Sequence, residues 1–251
     1  MKLPLEYNKL SEFFDVVGSS SANDVNRTVE KILKKYKVKT VLDLTCGTGS
    51  QVFWLTKHGY NVTGSDFSPP LLKIAKEKAR KQKLNIKFLH GDMRNKKIGK
   101  FDAVITIFNA VGHLTKSGFE KAMRNIHKNL KPGGIYVFDI FNVDAFNGKD
   151  LSDLDLSFSK RVGNTTLRSE QYSKLDKKKN HLVSYDHFSV QESAGKIKNY
   201  KSKFALQIYT GKELRDMLVR NGFNVLCQYD RDGSTFSAKK TKEILTVARA
   251  L

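Results

Sequence analysis

Cysteine is scarce in this chain: two in 251 residues, Cys46 and Cys227. They form neither a metal-ligand spacing nor a disulfide framework. No apolar run approaches the roughly 18–20 residues of a membrane-spanning helix, which excludes a helical integral membrane protein. The first residues, MKLPLEYNKLSEFF, include acids and no continuous apolar core, so they do not read as a secretory leader. A reduced, cytoplasmic setting is the resulting expectation. There is no internal repeat, and low complexity is confined to Lys177–Lys179.

What is present is a globular composition with a strong positive charge. Hydrophobic residues make up 39% and aromatics 10%, too apolar for a disordered chain. The length suits one large domain, or one domain with a substantial insertion. Formal net charge is +20. Of the 45 cationic residues 10 are Arg, and the lysines are dispersed rather than clustered. Phosphate and base recognition favours the Arg fork, so a solvated Lys-rich surface is the favoured reading and an anionic partner the second one.

Periodicity sets out the elements. Val25, Val29, Ile32, Leu33 and Tyr36 share one stripe of a helix over 22–36. Short β-branched or apolar runs predict strands at 39–44, 60–65, 85–89, 101–108 and 135–140, with helices between them at 51–58, 68–83 and around Phe119, Met123, Ile126 and Leu130. Lys131-Pro-Gly-Gly134 is read as a stop between that last helix and the fifth strand. Strands alternating with helices imply βαβ crossovers and a parallel sheet covered on both faces. From about 151 to 206 the pattern turns to period two, as in Tyr200, Phe204 and Leu206, and predicts an antiparallel insertion. Helix then returns at 211–221, followed by strands at 222–229 and 243–250.

The chemistry concentrates at strand ends. Val41-Leu-Asp-Leu-Thr-Cys-Gly-Thr-Gly-Ser50 is an apolar strand closed by an acid, then a Gly-x-Gly turn entering a helix. Gly47 and Gly49 allow close backbone approach to a ligand. A dinucleotide fingerprint from Gly47 would require glycine at position 52, which is Val52, and the Lys-Ser/Thr of a P-loop is missing. Asp66 ends the second strand and suits a ribose diol; its competing reading is a helix cap before Ser68-Pro69. Asp92, in His90-Gly-Asp-Met93, suits an exocyclic amine, with Met93 against a purine; its competing reading is a turn aspartate. Together with Asp43, these are three acids at the ends of three successive strands.

With these residues the chain resembles the class I S-adenosylmethionine-dependent methyltransferases. The resemblance covers about residues 38–142 plus the terminal helix and strand pair. Asp43-Leu-Thr-Cys-Gly-Thr-Gly49 matches the family's first motif, with Thr45 departing from its usual small residue. The resemblance implies S-adenosyl-L-methionine as cofactor, with Asp66 as the ribose acid, Phe67 flanking the adenine, Asp92 at the adenine edge with the Met93 amide, and Phe101–Asn109 as the fourth-strand motif that brings Phe108 and Asn109 to the donor. It also implies an α/β, Rossmann-like seven-stranded sheet whose last strand is antiparallel. Phe108-Asn-Ala-Val-Gly-His-Leu114 is similar to the Gly-His-Leu segment of small-molecule N-methyltransferases such as the sugar N,N-dimethyltransferases, which also carry an N-terminal Tyr and an insertion after the fifth strand.

Residues 1–150 and 207–251 are therefore expected to form the donor-binding domain, and 151–206 an antiparallel β insertion acting as a substrate lid. His113 and Tyr7 are the candidate catalytic residues, His113 as proton acceptor or amine-orienting group. Their competing readings are a loop histidine and a packing aromatic. Tyr185, His187, Tyr200 and Tyr209 either line an acceptor pocket or form the insertion's own core, the second being favoured. The expected reaction is methyl transfer to N or O of a small molecule, with no metal. An RNA-modifying methyltransferase using the basic surface is the alternative, disfavoured because no separate RNA-binding module and no Asn-Pro-Pro-Tyr-like tetrapeptide are found. A donor-binding protein without catalysis is a third reading.

Overall fold

A computed structural model of the chain describes residues 4–17, 22–146 and 156–251. The N-terminal segment makes two single 3-10 turns, Leu5–Tyr7 and Ser11–Phe13, and a one-turn helix α1 (Phe14–Val17). Helix α2 (Ala22–Lys35) buries Val25, Val29, Ile32 and Leu33, the predicted stripe. There follow β1 (Thr40–Asp43), α3 (Ser50–Lys57), β2 (Asn61–Asp66), α4 (Pro69–Lys81), β3 (Lys87–His90), β4 (Phe101–Thr106), α5 (Lys116–Asn129) and β5 (Leu130–Phe141). Four strands come next: β6 (Leu156–Val162), β7 (Thr165–Asp176), β8 (His181–Glu192) and β9 (Lys198–Gln207). The chain closes with α6 (Gly211–Arg220), β10 (Phe223–Asp230) and β11 (Glu243–Ala250).

Seven strands form one mixed sheet in the order β10-β11-β5-β4-β1-β2-β3. Pairing among β1 to β5 is parallel, while β11 lies antiparallel to both β5 and β10. One face packs on α2, α3 and α4 through Val29, Leu33, Val52 and Ala75; the other packs on α5 and α6 through Phe119, Met123, Leu214 and Leu218. Burial on both faces explains why the central strands read as continuous apolar runs. The chain order reverses direction between β1 and β4, so the crevice that this topology offers a ligand opens at their carboxyl ends.

Local chemistry fixes the helix ends as the sequence suggested. Ser68 caps α4, its hydroxyl accepting from the Leu71 amide, and prolines occupy the first two positions. The Lys131-Pro-Gly-Gly134 stop differs from expectation. The helix ends at Asn129, and the strand begins at once, with Leu130 opposite Phe101. The register then shifts before Ala103 meets Ile135, and Gly133 takes φ 73°. The Pro-Gly-Gly run is therefore an irregularity inside β5 rather than a linker before it.

Strands β6 to β9 form a separate antiparallel sheet whose described part runs from Leu156 to Gln207; residues 151–155 and the expected boundary at 150/151 lie outside the described residues. Its inner face carries two apolar clusters, one around Phe188 and Val190 with Leu10 and Phe13, the other around Phe204 and Leu206 with Phe146. Between them lies a polar rung, in which Gln171, Asp186 and Ser202 stand in register. The sheet touches the main domain at Gly112, where a Cβ would lie 3.3 Å from the Gln207 carbonyl.

Candidate active site

The site begins where β1 runs out. Asp43 is buried, and its Oδ1 accepts the Thr45 amide at 3.0 Å. Burial pushes its carboxyl up to about 7, opposed by that hydrogen bond, with nearby Asp66 adding to the rise. The turn then passes through two left-handed glycines, Gly47 at φ 51° and Gly49 at φ 95°. A Cβ on Gly47 would lie 3.3 Å from the Phe14 ring, and one on Gly49 only 2.6 Å from Phe53. Gly47 lets Phe14 of the N-terminal segment close over the turn; Gly49 lets α3 start without striking its own first turn.

Asp66 ties the tips of β1 and β2 together. Its Oδ2 accepts the Gly47 amide and its Oδ1 the Ser68 amide, both at 2.8 Å. A carboxylate offers about four acceptor positions, so a second lone pair on each oxygen is left for a diol. Burial raises its pKa, opposed by these amides. Asp92 is engaged differently. The Arg94 side chain grips both its oxygens, and the Arg94 amide adds a bond of 2.8 Å to Oδ1. That hydrogen-bonded guanidinium lowers the Asp92 pKa. An amine at this edge would share Asp92 with Arg94.

After β4 the backbone turns through two consecutive left-handed residues, Phe108 at φ 64° and Asn109 at φ 55°. Asn109 then heads the 3-10 turn Ala110–His113. The Tyr7 hydroxyl lies 3.2 Å from His113 Nε2, with the rings edge to face at 5.3 Å. Burial holds His113 down at about 4 and pushes the Tyr7 phenol well up. At neutral pH both are uncharged. His113 Nδ1 is buried and has no hydrogen-bond partner among the described residues.

These elements enclose a cavity of about 280 Å³. Thr45 and Gly47 line it from the turn, Asp66 and Phe67 from β2, Asp92 and Met93 from beyond β3, and Phe108, His113 and Tyr7 from the far side. Asp43, Gly49 and Asn109 do not line it. Asp43 shapes the turn from behind, Gly49 starts α3, and Asn109 points its amide at Asp139. The four insertion-side aromatics do not line it either. Tyr185 stacks on Tyr172 at 4.8 Å on the outer face, His187 faces Glu170, Tyr200 packs near Phe188, and Tyr209 is buried in the main core.

Sequence reasoning missed how the N-terminal segment is held. Phe14 lines the cavity. Asp15 accepts from Thr48 Oγ1 and from Lys78, each at 2.5 Å, and Ser68 Oγ donates to the Tyr7 carbonyl. The clustering of Tyr7, Phe13 and Phe14 ahead of α2 was the one sequence signal available.

The residues present fit S-adenosylmethionine: a carboxylate with spare lone pairs for a ribose, a glycine turn too tight for a Cβ, and acids to balance a sulfonium. Comparison with known proteins agrees. Residues 41–134 match a family model described as a methyltransferase domain. The chain is 29% identical over 225 residues to an uncharacterized protein of Methanocaldococcus jannaschii, covering 88% of this chain and 75% of that one. It is 28% identical to a dTDP-3-amino-3,4,6-trideoxy-alpha-D-glucopyranose N,N-dimethyltransferase of Streptomyces venezuelae, covering 63% of this chain and 73% of that one. The chain spans about half the length of several other curated methyltransferases it matches. Among solved structures, an S-adenosylmethionine-dependent methyltransferase from Clostridium acetobutylicum superposes with TM-score 0.79 at 20% identity, covering 97% of this chain and 98% of that one. Motif, sheet order and relatives converge: residues 41–134 match a methyltransferase domain, carried on a fold that this chain shares with a solved S-adenosylmethionine-dependent methyltransferase.

Proposed function

We propose that this enzyme methylates a nitrogen of a small-molecule acceptor, with the β6–β9 insertion as the lid over the acceptor. The observation that carries the reading is the Tyr7–His113 pair on the cavity wall, a neutral imidazole held by a neutral phenol. The Gly-His-Leu context of His113 and the N,N-dimethyltransferase relative favour nitrogen over oxygen.

When bound, the donor supplies an electrophilic methyl carbon on a sulfonium. The protein's task is to hold, align and dry. Asp66 takes the ribose diol, Phe67 and Met93 flank the adenine, and Asp92 takes its amine. Thr45, Gly47 and Phe108 wall the remainder. In-line transfer needs the nucleophile within about 3–3.5 Å of the methyl, and Phe14 and Tyr7 close the N-terminal segment against water. An ammonium has no lone pair to attack with. His113, uncharged above about pH 4, can accept the proton that leaves the amine at a ring nitrogen or orient the neutral amine.

The test is incubation with methyl-labelled donor and a fractionated cell extract, with mass identification of the labelled product. A labelled small amine supports the reading. Label confined to RNA, with salt-sensitive RNA binding, would overturn it.

A further inference from the structure

The Phe108–Asn109 corner is costly. A residue with a side chain is strained in a left-handed conformation, asparagine less than most, and here two adopt it in succession. The strain sits where the chain leaves β4, between a cavity wall and the turn that delivers His113. Something must hold it.

The holder is Asp139. It lies near the end of β5, one residue beyond the Thr106–Phe138 pair, where β4 has stopped and β5 continues. It is fully buried in the middle of the sheet, at a position flanked by Phe138 and Ile140. An apolar residue would be cheaper there, since burying a carboxylate is expensive. Its Oδ1 accepts the Asn109 amide at 3.0 Å. Asn109 in turn accepts the Gly112 amide on its carbonyl at 2.9 Å, which starts the turn to His113. A second arm reaches the same corner from β11. Arg231 clamps both Glu243 oxygens at 2.6 and 2.8 Å, and its guanidinium lies 5.4 Å from the centre of the Phe108 ring. The corner is thus gripped on its backbone amide and on the aromatic ring.

We propose that Asp139 is a positioning residue of the methyl-transfer site: by accepting the Asn109 amide it fixes the left-handed corner that sets Phe108 against the donor and aims His113 at the acceptor. The inference rests on the proposed roles of Phe108 and His113. Asp139 does not line the cavity; it acts through Asn109.

A merely structural aspartate and a positioning one part company on replacement by leucine. Asp139→Leu leaves the buried Asn109 amide without its acceptor, so both roles allow some loss of thermal stability, and only a positioning role carries the loss into the site. That role predicts S-adenosylhomocysteine affinity at least tenfold weaker by calorimetry. Asp139→Asn keeps an oxygen for the Asn109 amide and should stay within threefold of the parent. Adding Asn109→Gly to Asp139→Leu should restore most of the affinity, because glycine enters the left-handed region without strain. In the Asp139→Leu protein, the His113 imidazole resonances, identified by their loss in His113→Ala, should titrate closer to the ordinary histidine range. Unchanged affinity and an unmoved His113 in Asp139→Leu would overturn the proposal. So would lost affinity that Asn109→Gly does not restore. A parent protein that fails to bind S-adenosylhomocysteine would instead refute the site assignment on which the inference stands.

Discussion

The Tyr7 hydroxyl and the Nε2 of His113 meet at 3.2 Å across 106 positions of sequence. The contact joins the N-terminal segment to the turn after β4 and puts two protonatable groups on the wall of one cavity. Neither carries charge at neutral pH, because burial disfavours both the imidazolium and the phenolate.

If His113 takes the proton from the acceptor, His113→Ala should lower turnover by about 10- to 100-fold, at or below the low end of general-base effects. Tyr7→Phe should cost less, since it removes only the hydroxyl that orients the ring. Steady-state kinetics with the identified acceptor give the answer, and unchanged turnover in His113→Ala would remove that residue from the chemistry.

Asp66 should dominate donor affinity. Asp66→Ala is expected to weaken S-adenosylhomocysteine binding by about 1.5–3 kcal/mol, the usual range for hydrogen bonds to a charged group. Calorimetry on the folded variant measures this. The same substitution leaves the Gly47 amide without its carboxylate, so some loss of thermal stability should accompany it.

Gly49→Ala and Gly59→Ala separate backbone strain from crowding. Both glycines have positive φ, 95° and 86°, but a Cβ at 49 would meet Phe53 at 2.6 Å while nothing lies within 4 Å at 59. Gly59→Ala should cost about 1 kcal/mol, and Gly49→Ala clearly more, with strain and clash combined. Urea denaturation of the two variants side by side supplies the comparison.

Stability without ligand should rise as pH falls from 8 to 6. Glu6, Asp43 and Asp139 are each pushed up to about 7 by burial. For an acid raised on folding, the folded state binds the proton first, so its contribution is complete at low pH and is lost as pH rises through about 7. His113 works in the opposite sense: its lowered pKa costs stability only as pH drops below about 6.5 towards 4. Between pH 8 and 6.5 the acids act alone. Thermal melts across this range test the sign; a melting point that falls steadily from pH 8 to 6.5 would contradict the buried carboxylates.

Much of this was legible in the chain itself. Burial is the strongest force acting on these elements, and its period is written in the sequence. The stripe of α2, the apolar runs of β1 and β4, and the Ser68-Pro69-Pro70 start of α4 depend on neighbours within a few residues. The Gly47 and Gly49 turn was legible for the same reason, since a left-handed backbone is a local demand. What the sequence could not decide is which distant groups share a space. Asp92 fitted an amine and Arg94 stood two residues away, but only the folded tip of β3 shows the guanidinium on the carboxylate. Period two marked Tyr185 and His187 as strand residues without saying which face met solvent, because either face of an isolated strand satisfies the same alternation. Asp139 was hidden inside an apolar run. Its meaning appears only when β4 ends beside it and leaves the Asn109 amide to be held. Local propensity determined the elements; the reversal of strand order between β1 and β4, and the closure of residues 4–17 over their ends, decided the site.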